Sequence, residues 1–337
     1  MAKVSILGAG AWGTAIGILL AQNGHDVLIW SALKSEVELL RNERELKDKL
    51  PGAILPDSIE ITDNLEESLK GMDLVVFAVA SPFVRKTANI ARPFVADNQI
   101  IVNVAKGIEE STLFTLTDIL KEEIPNADIA VLSGPSHAEE VSRGIPTTCV
   151  VGADSKKTAC FIQDVFMSER FRVYTSPDVI GIELGGSLKN VIALAAGVVD
   201  GLGYGDNTKA ALMTRGIAEI SRLGVAMGGK METFSGLSGV GDLFVTCTSL
   251  HSRNRKAGYL IGKGYTMEDA MKEVNQIVEG VFSAKAALSL AQKFNIEMPI
   301  VEQINLVLFE NKSAEDAVND LLLRDKRREY SELIWEK

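Results

Sequence analysis

The sequence predicts an α/β protein in two parts: a doubly wound, mostly parallel sheet over residues 1–177 and a mainly α-helical domain over residues 178–337. Three observations predict it. The chain opens with strand, glycine-rich turn, helix and strand patterns within about 30 residues, the length of a βαβ unit. Strand-like apolar runs then alternate with helical or turn-rich stretches as far as Val151, the pattern of a parallel sheet covered on both faces. After Thr175-Ser176-Pro177 the β-branched alternation gives way to long helical segments.

In order, Lys3 to Leu7 is the first strand, Gly8-Ala9-Gly10-Ala11-Trp12-Gly13 the turn, Thr14 to Asn23 a helix stopped at Gly24, and Asp26 to Trp30 the second strand. Glycines so placed permit the tight turn, close backbone approach to a pyrophosphate and packing of helix on strand. The helix end supplies free N–H groups to the anion. Gly8, Gly10, Ala11 and Gly13 are thus candidate dinucleotide contacts in a Rossmann-type domain; the competing reading is a glycine turn with only a packing role. Further strands are predicted at Ile59 to Ile61, Leu74 to Val79, Ile100 to Val104, Ile129 to Leu132 and Thr147 to Val151. Ligands of such sheets lie beyond the carboxyl ends of the strands, where the loops Ala105-Lys106-Gly107 and Ser133-Gly134-Pro135-Ser136-His137-Ala138 fall.

The second part predicts helices over Asp178 to Val199, Asn207 to Met227, Met267 to Val274, Ser283 to Phe294 and Ile300 to Phe309. Between Asp178 and Asp200 the first of these carries only Glu183 and Lys189 as charges, so it reads as a largely buried helix with one ammonium group directed inward. Gly185, Ala193 and Ala196 flank Lys189 at helical spacing, and small neighbours admit another surface or a ligand. Desolvation would lower the lysine pKa toward the range of a general base, unless the side chain snorkels out to water. The segment Leu250 to Gly258 reads as a helix N-terminus whose Ser252, Arg253 and Asn254, with free N–H groups, suit a phosphate; an ordinary capped basic helix is the bland alternative. Ser235 to Leu243 is too glycine-dense for a plain helix, and its Asp242 is placed to orient Lys189, to accept a substrate hydroxyl, or merely to cap a helix.

Composition excludes several classes. A 46% hydrophobic, 24% charged chain of 337 residues has the make-up of a soluble globular protein with two cores, and no stretch approaches the ~18 uninterrupted apolar residues of a membrane span. The net charge of −10 gives no general reason to bind nucleic acid. Cys149, Cys160 and Cys247 are odd in number and far apart, which fits reduced thiols and no metal site. Met1 to Leu7 leads straight into a strand without a signal-peptide pattern, so a cytoplasmic protein is expected. The basic run Arg324-Asp325-Lys326-Arg327-Arg328 reads as a solvated face.

GAGAWGTA at 8–15, NVAKGIE at 103–109, LSGPSHAEEV at 132–141, ELGGSLKNVIALAAG at 183–197, SGLSGVGDLFVTCTS at 235–249, SRNRKAG at 252–258 and VEG at 278–280 together resemble, in order and spacing, the bacterial NAD(P)-dependent glycerol-3-phosphate dehydrogenases, over the whole chain. The resemblance implies that Lys189 is the proton acceptor and that Lys106, Gly134, Ser136, Asp242, Ser252, Arg253 and Asn254 contact the glycerol phosphate. It implies that Trp12, Lys106, Ala138, Arg253, Ile277 and Glu279 line the cofactor, and that the protein is a homodimer. The implied reaction is reversible hydride transfer between sn-glycerol 3-phosphate and NAD(P)+, supplying glycerol 3-phosphate for phospholipid synthesis.

Two departures stand out. Ala11 replaces a serine frequent in the family, and Trp30-Ser31-Ala32-Leu33-Lys34 offers neither an acid directly after the strand for a ribose 2′-hydroxyl nor an arginine for a 2′-phosphate. The expectation leans to NAD over NADP, with Lys34 as the residue able to reverse it. Competing readings are a two-domain 3-hydroxy acid dehydrogenase, in which the basic helix end takes a carboxylate, and a non-catalytic nucleotide sensor.

Overall fold

A computed structural model of the chain describes residues 1–326 together with Arg328, Glu329 and Trp335. Arg327, in the basic run near the C-terminus, lies outside the described residues, as do the last residues of the predicted helical domain. The elements follow as β1 (Lys3–Leu7), α1 (Ala11–Gln22), β2 (Asp26–Trp30), α2 (Lys34–Glu43), β3 (Glu60–Thr62), α3 (Leu65–Leu69), β4 (Leu74–Phe77), α4 (Val84–Ala91), β5 (Ile100–Asn103), α5 (Leu116–Glu123), β6 (Asp128–Ser133), α6 (Ala138–Val141), β7 (Thr147–Ala153), α7 (Lys156–Phe166) and β8 (Phe171–Ser176). The helical part comprises α8 (Val179–Gly201), α9 (Asp206–Ala226), α10 (Met231–Phe234), α11 (Asp242–Thr248), α12 (Arg253–Gly262), α13 (Met267–Val274), α14 (Glu279–Lys293), α15 (Pro299–Phe309) and α16 (Ala314–Leu322).

One sheet of order β3-β2-β1-β4-β5-β6-β7-β8 holds the first part together. Every pairing is parallel except β6 with β7. Continuous apolar runs such as Leu74-Val75-Val76-Phe77, buried throughout, are what a strand covered on both faces requires. The sequence reading placed seven of these strands and missed β8, in which buried Phe171 and Val173 alternate with exposed Arg172 and Tyr174. As the edge strand it shows polar side chains to solvent and loses the purely apolar signature.

The second core is built around α8, in which every residue except Ile180 and Asp200 is buried. By length and composition α8 could cross a membrane, but it is enclosed by protein, with α9, α11, α12 and α14 packed on it. Glycines set the closeness of one crossing: a Cβ at Gly197 would fall 2.1 Å from the Arg255 carbonyl oxygen, and one at Gly258 1.9 Å from the Leu194 carbonyl oxygen. The backbones of α8 and α12 therefore touch, and the start of α12 is held beside the Lys189 turn. Cys149 and Cys247 are buried free thiols and Cys160 is half-buried.

Candidate active site

Lys189 lies in the middle of α8, 6% exposed, and it does not snorkel out. Its Nζ donates to Asp242 Oδ1 and, over 2.7 Å, to Thr246 Oγ1. Asp242, fully buried, begins α11 directly after a π-helical turn, Leu237–Gly241. The glycine-dense stretch folds this way because the turn must lie against α8: a Cβ on Gly185 would meet the Ser238 carbonyl oxygen at 2.4 Å. One helical turn beyond Asp242, Thr246 shares its face, and its hydroxyl also donates to the Asp242 carbonyl over 2.6 Å.

The sheet contributes the other half of the cluster. Lys106, from the loop after β5, donates to Asp242 Oδ2 over 2.7 Å and to the Gly134 carbonyl over 3.1 Å. That carbonyl also accepts the Ser136 hydroxyl over 3.0 Å. Gly134 has φ +145° and backs onto Cys149, whose Cα would lie 3.0 Å from an added Cβ, so a side chain there would be both strained and crowded. One carboxylate thus holds two ammonium groups from the two halves of the chain, Lys189 buried and Lys106 half-buried. Burial lowers the Lys189 pKa to about 8, against the opposing charge of Asp242 and with help from the neighbouring charge of Lys106. For Lys106 burial again lowers the pKa, but the charge and hydrogen bond of Asp242 outweigh it and the net shift is upward. One lysine is therefore poised to exchange a proton near neutral pH, while its neighbour stays cationic.

Ser252 caps α12, accepting from the Arg255 N–H over 3.2 Å, so its hydroxyl has a structural role. Asn254 is tied at both ends, accepting from the Gly280 N–H over 2.8 Å and donating to Asn190 Oδ1 over 3.0 Å. Arg253 is exposed at the first position of the helix. Arg255 is committed elsewhere, to Asp200 over 2.6 Å. Asn190, next to Lys189, also donates to Glu279 Oε2 over 3.3 Å. Burial raises the Glu279 pKa against the charge of Arg253. Ile277 is half-buried two residues before Glu279, which opens α14. Asn190 and Thr246 were not singled out in the sequence. Thr246 was findable as the residue four after Asp242 on the same helix face, and Asn190 as the polar neighbour of Lys189.

The glycine turn suits a pyrophosphate. Gly8 has φ +122° and lies against the Ala78 backbone, 2.8 Å from where a Cβ would be, and a Cβ on Gly13 would collide with the Gly8 carbonyl oxygen at 2.0 Å. Nothing lies within 4 Å of the corresponding position on Gly10. The first turn of α1, entered through Ala11 and Trp12, has no side-chain cap and no acid, so its N–H groups remain to meet an anion. Ala138 begins α6 beyond the β6 loop. After β2 the structure amends the reading of an absent acid. Ser31, the residue following Trp30, donates its hydroxyl to Glu36 Oε2 over 2.5 Å, folding that carboxylate back to the strand end, while Lys49 holds Oε1 over 2.9 Å. Arg41 and Arg44 are turned onto backbone carbonyls of Ile61, Pro56 and Ile59. Lys34 is exposed at the start of α2.

Fold and cluster define a class, the two-domain nicotinamide-dependent dehydrogenases. Comparison with known proteins gives the particular family. Residues 3–159 match the model of the NAD-dependent glycerol-3-phosphate dehydrogenase N-terminus and residues 178–319 that of the C-terminus; the chain belongs to this family. It is 62% identical over 335 residues to the glycerol-3-phosphate dehydrogenase [NAD(P)+] of Agathobacter rectalis, covering 99% of this chain and 100% of that one. Against the enzyme of the same name from Fusobacterium nucleatum it is 59% identical, covering 98% and 99%. The crystal structure of the Coxiella burnetii glycerol-3-phosphate dehydrogenase superposes with a TM-score of 0.93 at 36% identity, covering 96% of this chain and 99% of that one. The protein is an oxidoreductase that uses NAD or NADP.

Proposed function

We propose that Lys189 is the acid–base group for reversible oxidation of sn-glycerol 3-phosphate to dihydroxyacetone phosphate. The observation that carries this is a buried lysine with its pKa at about 8, hydrogen-bonded to Asp242 and Thr246. In oxidation the neutral amine of Lys189 takes the C2 hydroxyl proton; in reduction the ammonium returns it to the C2 oxygen. Nicotinamide, when bound, accepts or supplies the hydride at C4. Lys106 stays cationic and offsets negative charge on the C2 oxygen. Asp242 aligns both ammonium groups. The helix end at Ser252, Arg253 and Asn254 takes the phosphate, which fixes C2 relative to Lys189; such positioning supplies several kcal/mol of a barrier.

In this reading Gly134 and Ser136 complete the substrate contacts, and Gly8, Gly10, Ala11, Trp12, Gly13, Ala138, Ile277 and Glu279 line the cofactor. A division between cofactor and substrate domains at 177/178 is supported by the break between β8, ending at Ser176, and α8, beginning at Val179. Glu36, folded onto the end of β2, favours a ribose 2′-hydroxyl over a 2′-phosphate and so NADH over NADPH. The product of the reductive direction, glycerol 3-phosphate, carries the phosphorylated glycerol unit of glycerophospholipids, which supports a role in their synthesis; the family resemblance is what supports a cytoplasmic homodimer.

Parallel steady-state reduction of dihydroxyacetone phosphate with NADH and with NADPH tests the reading. Rapid loss of NADH absorbance and a higher kcat/KM with NADH are expected. No oxidation of either nucleotide would contradict the substrate, and a preference for NADPH would contradict the role of Glu36.

A further inference from the structure

Among the described residues, three buried side-chain polar atoms without a well-formed hydrogen bond are Ser133 Oγ at the end of β6, His137 Nε2 before α6 and Ser238 Oγ in the π-helical turn. His137 has the most unusual setting. It occupies the N-cap position of α6, yet its side chain does not cap; its carbonyl does that work, accepting from the N–H groups of Glu140 and Val141 over 3.1 and 3.0 Å. Its ring lies 5.9 Å from that of His251, tilted by 56°, and His251 immediately precedes the Ser252 cap of the phosphate-suited helix. The charges of Lys189 and Lys106 act on the ring, opposed by Glu139 and the Val245 backbone. His137 is thus close both to the start of α12 and to the lysine–carboxylate cluster.

We propose that His137 recognises the C1 hydroxyl of the three-carbon substrate through Nε2 and is a specificity-determining residue of the reaction. This rests on the functional reading above. With the phosphate at the α12 end and the C2 oxygen at Lys189, the C1 hydroxyl is the polar group of the substrate that neither of those two anchors holds. A hydroxyl both donates and accepts, and so does a neutral imidazole. Burial, and then the charge of Lys189, hold the His137 pKa below its ordinary value, which favours the uncharged ring in a site already holding two ammonium groups and a carboxylate.

The test compares NADH-dependent reduction of dihydroxyacetone phosphate with that of acetol phosphate, in which a methyl group replaces the C1 hydroxymethyl group. Wild-type enzyme should favour the hydroxylated substrate. In His137→Phe the ratio of the two kcat/KM values should narrow by about tenfold, the worth of one neutral hydrogen bond, and His137→Gln should restore part of it. Should the phenylalanine variant fold poorly, His137→Ala gives the same readout. A packing role would lower both rates together, and a ratio unchanged from wild type in both the Phe and Ala variants would overturn the proposal. Failure of the wild type to reduce dihydroxyacetone phosphate would instead overturn the substrate reading, and the inference with it.

Discussion

Asp242→Asn isolates the electrostatics of the site. The substitution keeps the shape of the side chain and removes the one charge that holds Lys189 and Lys106 together. A unit pair near 4 Å at an effective dielectric of about 20 is worth about 4 kcal/mol, or about 3 pKa units. Lys189, already lowered to about 8 by burial, should fall further when only a like charge remains beside it. The assay is the pH profile of kcat/KM for dihydroxyacetone phosphate reduction between pH 5 and 10. In wild type the rate should fall above about pH 8, as the ammonium form is lost; in the oxidative direction it should rise through the same pH, because the neutral amine is the base. The limb belongs to the coupled cluster and not to one lysine alone. In Asp242→Asn the reductive limb should move acidward, by up to about 3 pH units on that scale. A limb that stays near pH 8 in the variant would refute the coupling.

Arg253→Ala should raise KM for the phosphorylated substrate by about 10- to 100-fold, the range of one charge-assisted hydrogen bond, with kcat much less affected; steady-state kinetics check this, and an unchanged KM would remove Arg253 from the phosphate site. Glu183, on α8, is buried and accepts from the Thr117 N–H over 2.9 Å and from the Thr117 hydroxyl; burial raises its pKa from 4.5 to about 7. A folded pKa above the unfolded one gives stability that is full below pH 4.5 and lost as pH rises through about 7. That contribution is at most about 3 kcal/mol. Denaturant unfolding of wild type and Glu183→Gln at pH 5 and pH 8 should show the wild type losing more stability across that interval than the variant; parallel losses would show that Glu183 does not titrate there.

Local pattern carries most of the fold. β1 and β2 match the sequence reading to the residue, as does α13, because continuous apolar runs and 3.6-residue periodicity are written within short windows. β8 escaped because an edge strand shares its surface with water. α8 was legible as buried, and Lys189 as its odd charge. What faces that charge was less so: Lys106 and Asp242 are 136 residues apart and Thr117 and Glu183 are 66 apart, and no periodicity encodes which loop meets which helix. The acid at the end of β2 was hidden for the same reason. Glu36 is five residues past Ser31 and reaches the strand end only because α2 turns back on it. The resemblance to a family placed Lys106, Lys189 and Asp242 around one substrate; the pairings of Lys106 with Asp242, Thr117 with Glu183 and Ser31 with Glu36 are seen only in the structure.

Proton transfer by Lys189 can be examined at the chemical step itself. Single-turnover reduction of dihydroxyacetone phosphate by Lys189→Ala, with nucleotide affinity measured separately by fluorescence, tests it most directly. The prediction is a chemical step slowed by about 10²- to 10⁴-fold, with nucleotide binding retained. A variant that binds nucleotide and turns over near the wild-type rate would contradict it.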